Sequence, residues 1–144
     1  MRIVIDTSVL VRAHEGANGP ARELLLRILE SDHSLILSNE ILYELARVLR
    51  YPRMIAMHGL SEGRIYEYIA LLRAVSEIVS TDPLLITPVR DVNDVIVMQT
   101  AIIGGAEVLC TKDEDFFEPP AHPFLQRTGI EVLDDLALLR RLRS

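Results

Sequence analysis

The sequence predicts an α/β fold in which a parallel sheet is covered by helices on both faces. Three observations carry this. The strand-like runs are continuously apolar, as in Ile3-Val4-Ile5, rather than alternating; that is the pattern of strands buried on both sides. These short runs alternate along the chain with segments of helical periodicity. The composition, 49% hydrophobic and 25% charged over 144 residues, belongs to a chain that folds around a core. One domain spanning 1–144 is the expected organisation.

The elements follow in order. Ile3–Ile5 is the first strand, and Gly19-Pro20 opens a helix from about Ala21 to Glu30, with Leu24, Leu25, Ile28 and Leu29 at helical spacing. Ser34–Leu37 reads as the second strand. Ser38 then caps a helix that runs to about Arg50 and stops before Pro52. Gly59-Leu60-Ser61 leads into a helix ending near Val75, followed by a third strand at Ile78-Val79. In that helix Ile65, Ile69 and Leu72 form a stripe that reads first as core and second as a dimer surface. Asp91 or Asn93 starts a helix through Ile103, ended by Gly104-Gly105. Glu107–Cys110 is the fourth strand. The stretch from Phe116 to Gln126, with Pro119, Pro120 and Pro123, reads as loop. Ile130–Leu133 and Asp134–Leu142 complete the pattern as a fifth strand and a final helix.

Bulk features exclude several classes. No apolar run reaches the roughly 18 residues of a membrane span. The chain opens directly into a strand without a signal peptide, and its single cysteine, Cys110, permits no intrachain disulfide and no cysteine-based zinc site. A reducing, cytoplasmic setting is therefore expected. His14, His33, His58 and His122 are scattered without ligand spacing and read as surface or loop residues. No Walker-type loop follows any strand. Acids outnumber bases by 21 to 15, a formal net charge of -6, so a broad basic surface for duplex DNA is not expected. The question becomes where the surplus acids sit.

Several sit where a carboxylate is costly. Asp6 ends the first buried strand, and ligand sites of open parallel sheets form at such ends; Asp6 also suits the N-cap of a helix beginning Thr7-Ser8. Glu44 lies beside the apolar stripe Ile41, Leu45 and Val48, where it needs a cation or a partner, and Arg47 stands at i+3. Asp94 begins an almost wholly apolar helix, either facing a cleft or forming a capping box with Asp91. Asp113 and Asp115 follow the fourth strand, where either ligation or solvation is possible. Acids that converge on one end of a sheet repel unless cations sit among them. Hard oxygen donors favour Mg²⁺ or Mn²⁺, one or two ions, which activate water and polarise a phosphoryl group.

In order along the chain, Ile3-Val4-Ile5-Asp6-Thr7-Ser8-Val9-Leu10 resembles the first motif of the PIN-domain nucleases. Ser38-Asn39-Glu40-Ile41-Leu42-Tyr43-Glu44-Leu45 resembles the second, Asp91-Val92-Asn93-Asp94-Val95-Ile96 the third, and Gly105 through Phe116 the fourth. The resemblance extends from Met1 to about Leu133 and is strongest to VapC-like toxins of toxin–antitoxin pairs. It implies a Rossmann-like sheet in the order 3-2-1-4-5, and Mg²⁺-dependent cleavage of RNA leaving a 5′-phosphate. It also implies catalytic and metal-binding roles for Asp6, Glu44, Asp94 and Asp113. Thr7, Ser8, Thr111, Asp91 and Asp115 are then supporting residues, with Asp91 or Asp115 an alternative to a neighbouring ligand. Ser8 stands where Asn is common and keeps a hydroxyl near the metal. The implied partners are RNA, a cognate antitoxin protein and a second copy of the chain, with no membrane.

The reading that results is a metal-dependent endoribonuclease, the toxin of a type II toxin–antitoxin pair. Two other classes share its carboxylates: a metal-dependent phosphatase and a non-catalytic PIN-fold binding module. A receiver-type module needs paired acids at the first strand end, and Ile5 precedes Asp6 with no acid beside it.

Overall fold

The computed structural model describes residues 1–143. Its sheet holds β1 (Arg2–Ile5), β2 (Ser34–Ser38), β3 (Glu77–Val79), β4 (Val108–Cys110) and β5 (Glu131–Leu133). The order is β3-β2-β1-β4-β5, and every pairing is parallel. Ile3, Val4 and Ile5 point alternately to the two faces of β1, yet all three are buried. Helices therefore cover both sides of the sheet, as the continuous apolar runs predict.

The helices are α1 (Thr7–Leu10), α2 (Pro20–Leu29), α3 (Asn39–Leu49), α4 (Pro52–His58), α5 (Glu62–Val75), α6 (Val92–Ile103), α7 (Ala121–Arg127) and α8 (Asp135–Arg143). A 3-10 turn covers Glu114–Phe117. Ser38 caps α3 through its hydroxyl, which accepts from Ile41 N–H. Ser61 does the same for α5 at Arg64. In α5, Ile65 and Leu72 are buried and Ile69 is packed against the same core, so the stripe serves the chain's own interior.

Two helices lie where none was expected. The predicted stop before Pro52 is correct for α3, but Pro52 also starts α4, because proline's missing N–H and fixed φ suit a first turn. The Phe116–Gln126 stretch is not loop throughout: it forms the 3-10 turn and most of α7, with Pro123 tolerated near the start of the helix.

The end of α6 depends on two glycines for different reasons. A Cβ on Gly104 would lie 2.5 Å from Ile36 Cγ2, so close packing against β2 excludes a side chain. Gly105 has φ of 62°, the left-handed conformation that ends helices. Together they return the chain to β4 beside β1. Asp6 N–H donates to Cys110 carbonyl O at 2.9 Å, so the carboxyl ends of the two strands lie side by side.

Candidate active site

The strand order splits between β1 and β4: the chain leaves β1 toward β2 and later returns on its other side to β4. A crevice opens at such a switch point. Here it is a cleft of ≈ 800 Å³ lined by, among others, Asp6, Glu44, Asp91, Asp94, Asp113 and Asp115.

Asp6 fills both expected roles. It caps α1, its Oδ1 accepting from Thr7 N–H at 2.7 Å. Its Oδ2 accepts from Ser8 Oγ at 3.1 Å and from Thr111 Oγ1 at 2.8 Å. Burial raises its pKa, and the three hydrogen bonds oppose that rise. Thr111 extends the link, since its hydroxyl also accepts from Asp113 N–H at 3.0 Å. Ser8 Oγ accepts from Lys112 N–H at 3.0 Å. The two hydroxyls thus lock the β1 and β4 ends together, whereas Thr7 contributes its backbone N–H.

On α6 the roles separate. Asp91 is the cap, its Oδ1 accepting from Asn93 N–H and Asp94 N–H. Asp94 does not reach back to complete a capping box. It is buried, and its carboxylate has no hydrogen-bond partner among the described residues. Burial, then the charges of Asp113, Asp91, Asp115 and Asp6, push its pKa up to about 7.

Asp113 caps the 3-10 turn, Oδ1 accepting from Asp115 N–H at 3.0 Å. That turn folds Asp115 back toward the cleft. Carboxylate oxygens of Asp94, Asp113 and Asp115 lie within 4.8 Å of one another. Asp6 and Glu44 line the same cleft outside that trio. Glu44 is ion-paired with Arg47, as its spacing allowed, and its Oε1 accepts from Asn93 Nδ2 at 3.4 Å.

No Lys or Arg among the described residues is ion-paired with Asp6, Asp94, Asp113 or Asp115. Crowded, partly buried carboxylates without a cation are the donor set a hard divalent ion fits.

The family model of the PIN domain matches residues 3–121. This chain belongs to the PIN-domain family. PIN domains are generally nucleases, and the cleft of this PIN domain is where the four segments that resemble the family's motifs meet. Among solved structures, the chain is similar to one in the crystal structure of VapBC2 from Rickettsia felis bound to a DNA fragment from their promoter. The TM-score is 0.58 at 14% identity, over 93% of this chain and 98% of that one. At that identity the likeness establishes the fold. No curated protein matches the chain.

Part of this PIN domain's site lies outside the predicted residues. His14, expected at the surface or in a loop, lies in a loop but is buried at 6% exposure. Its ring meets His58 at 5.8 Å and Tyr68 at 6.4 Å, both edge-on. Helix α4 adds Met54 and Met57 to the cleft wall. Neither feature has a signal in local spacing, because each depends on chain segments that meet only in the fold.

Proposed function

We propose that this PIN domain is a divalent-metal-dependent endoribonuclease and the toxin of a type II toxin–antitoxin pair. The observation that carries the chemistry is the convergence of Asp6, Asp94, Asp113 and Asp115 in one cleft with no Lys or Arg among the described residues ion-paired to them. Mg²⁺ or Mn²⁺, one or two ions, would be held by Asp6, Glu44, Asp94 and Asp113, with Asp115 close enough to join them. When bound, the metal supplies an activated water and charge stabilisation for hydrolysis of a phosphodiester.

The chain's own residues prepare that chemistry. Ser8 Oγ, Thr111 Oγ1 and Thr7 N–H occupy three of the four lone-pair positions of Asp6 and fix its carboxylate plane, leaving one position on Oδ1. The Asp94 carboxylate has no hydrogen-bond partner among the described residues, which leaves its oxygens open to a metal. Arg47 and Asn93 orient Glu44 from opposite partners. Asp91 holds the first turn of α6, and through it the position of Asp94.

An RNA substrate, an antitoxin and a second copy of the chain are the partners this reading implies. The likeness to VapBC2, bound in its structure to a DNA fragment from their promoter, supports the antitoxin. The test is cleavage of single-stranded RNA with Mn²⁺ by the parent, Asp94→Asn and Asp113→Asn. Loss of at least about a hundredfold in each variant is expected, the scale set by metal-ligand and transition-state charge effects. Undiminished cleavage by both would overturn the assignment.

A further inference from the structure

The lining of the cleft also holds a group of different character, Val11, Val48, Met54 and Met57 with His14 and His58, here called its arm. His58 is internally satisfied: Leu60 N–H donates to its Nδ1 at 2.8 Å, so Nε2 carries the proton and donates to Leu49 carbonyl O at 2.8 Å. His14 is satisfied at one end only. Gly16 N–H donates to its Nδ1 at 3.1 Å, which places the ring proton on Nε2.

That Nε2–H has no partner in the chain among the described residues. The fully enclosed side-chain atoms lacking partners there are Glu40 Oε2 and Ser76 Oγ, so His14 Nε2 keeps its opening to the cleft. Burial first, then His58 and Arg22, lower the pKa of His14, with Glu15 opposing them. A buried imidazole, gripped by Gly16 on one side and braced edge-on by Tyr68, thus presents one rigid donor among aliphatic and thioether side chains, with the exposed Arg12 lining the same cleft.

We infer that this arm is a nucleobase subsite, in which His14 Nε2–H donates to an acceptor on the edge of a base next to the scissile phosphate. The inference rests on the nuclease reading above. Single-stranded RNA presents unstacked bases with apolar faces and acceptor-bearing edges. Aliphatic and thioether walls suit the faces, and one fixed N–H suits the edge. The arm and the acids line one cleft, so a strand whose phosphate meets the acids can lay a neighbouring base there. A cleft of ≈ 800 Å³ holds such a unit. His14 is therefore a positioning residue: it touches the base, not the reacting atoms.

The test uses single-stranded RNAs of one sequence, intact or with an abasic site at successive positions flanking the cut, and Mn²⁺. The parent is expected to lose about tenfold in kcat/KM at one abasic position, the scale of one hydrogen bond plus stacking. His14→Phe, which keeps an apolar ring and loses the donor, is expected to lose about as much on intact RNA, mostly through KM, and little more on the abasic strand. His14→Gln restores an N–H and recovers activity, while Mn²⁺ affinity is unchanged in both variants. Indifference of the parent to abasic sites, or an undiminished abasic penalty in His14→Phe, would overturn the subsite. If the parent cleaves no RNA, the nuclease reading fails separately. AMP, CMP, GMP and UMP are then titrated into protein carrying ¹⁵N-histidine. Shifts at the His14 ring sustain the subsite, and no shift with any of them removes it.

Discussion

At Asp94 a buried setting and four neighbouring carboxylates act on one side chain. Its pKa, raised to about 7 from an ordinary 3.8, means the folded chain holds a proton there that the unfolded chain has released. Stability from this group is therefore full below about pH 4 and is lost as pH rises through about 7. Asp94→Asn removes the penalty: without divalent ions, the variant is expected to melt roughly 5 °C above the parent at pH 8, to keep about a third of that advantage at pH 5 and to lose it by about pH 4. Thermal denaturation at these pH values checks this. Asp6 and Glu44 show what residue-level reading of the sequence achieves. Asp6 as cap and as strand-end acid, and Glu44 as cleft acid and as partner of Arg47, are all realised together. Ranking Asp91, Asp94, Asp113 and Asp115 was beyond that reading. It depends on a cap bond to Asp91 and a 3-10 turn that brings Asp115 beside Asp113, both set by backbone geometry.

Among the elements, α6 connects stability to the site, since its first turn carries Asp94 and its last turn touches β2. Gly104 has an ordinary helical φ of −74°, so alanine there is conformationally acceptable and sterically blocked by Ile36. Gly104→Ala is expected to cost about 1–3 kcal/mol in urea denaturation by overpacking. Gly105→Ala is expected to cost about 1 kcal/mol for a different reason, its positive φ. Both glycines were legible as a helix end; the division of labour between them was not, because Ile36 is far away in sequence. Helix α4 escaped notice on physical grounds. It has seven residues and none is buried, so it lacks an apolar stripe to detect, and Pro52 signals an end as readily as a beginning.

For the molecule as a whole, the covered parallel sheet follows from strands that are apolar on both faces. The strand order came through the motif resemblance, since apolar periodicity does not say which strand lies beside which. The net charge of -6 is likewise a property of place. Six of the acids, Asp6, Glu44, Asp91, Asp94, Asp113 and Asp115, line the cleft, leaving the remainder of the chain close to balance.

The cleft's two walls differ in how firmly they are attached. The floor stands on β1 and β4, whose apolar residues are buried, while α4 buries no residue. It is joined to its surroundings chiefly where His58 reaches Leu49 carbonyl O and Leu60 N–H, at the helix's final turn. Opening α4 exposes little apolar surface, so it costs far less than global unfolding. Amide hydrogen exchange should show α4 as the least protected of the helices longer than one turn, with β1 and β4 exchanging only through global unfolding. Equal protection of α4 and α6 would contradict this. A catalytic floor as durable as the whole protein would then face a wall that comes and goes many times within each lifetime of the fold.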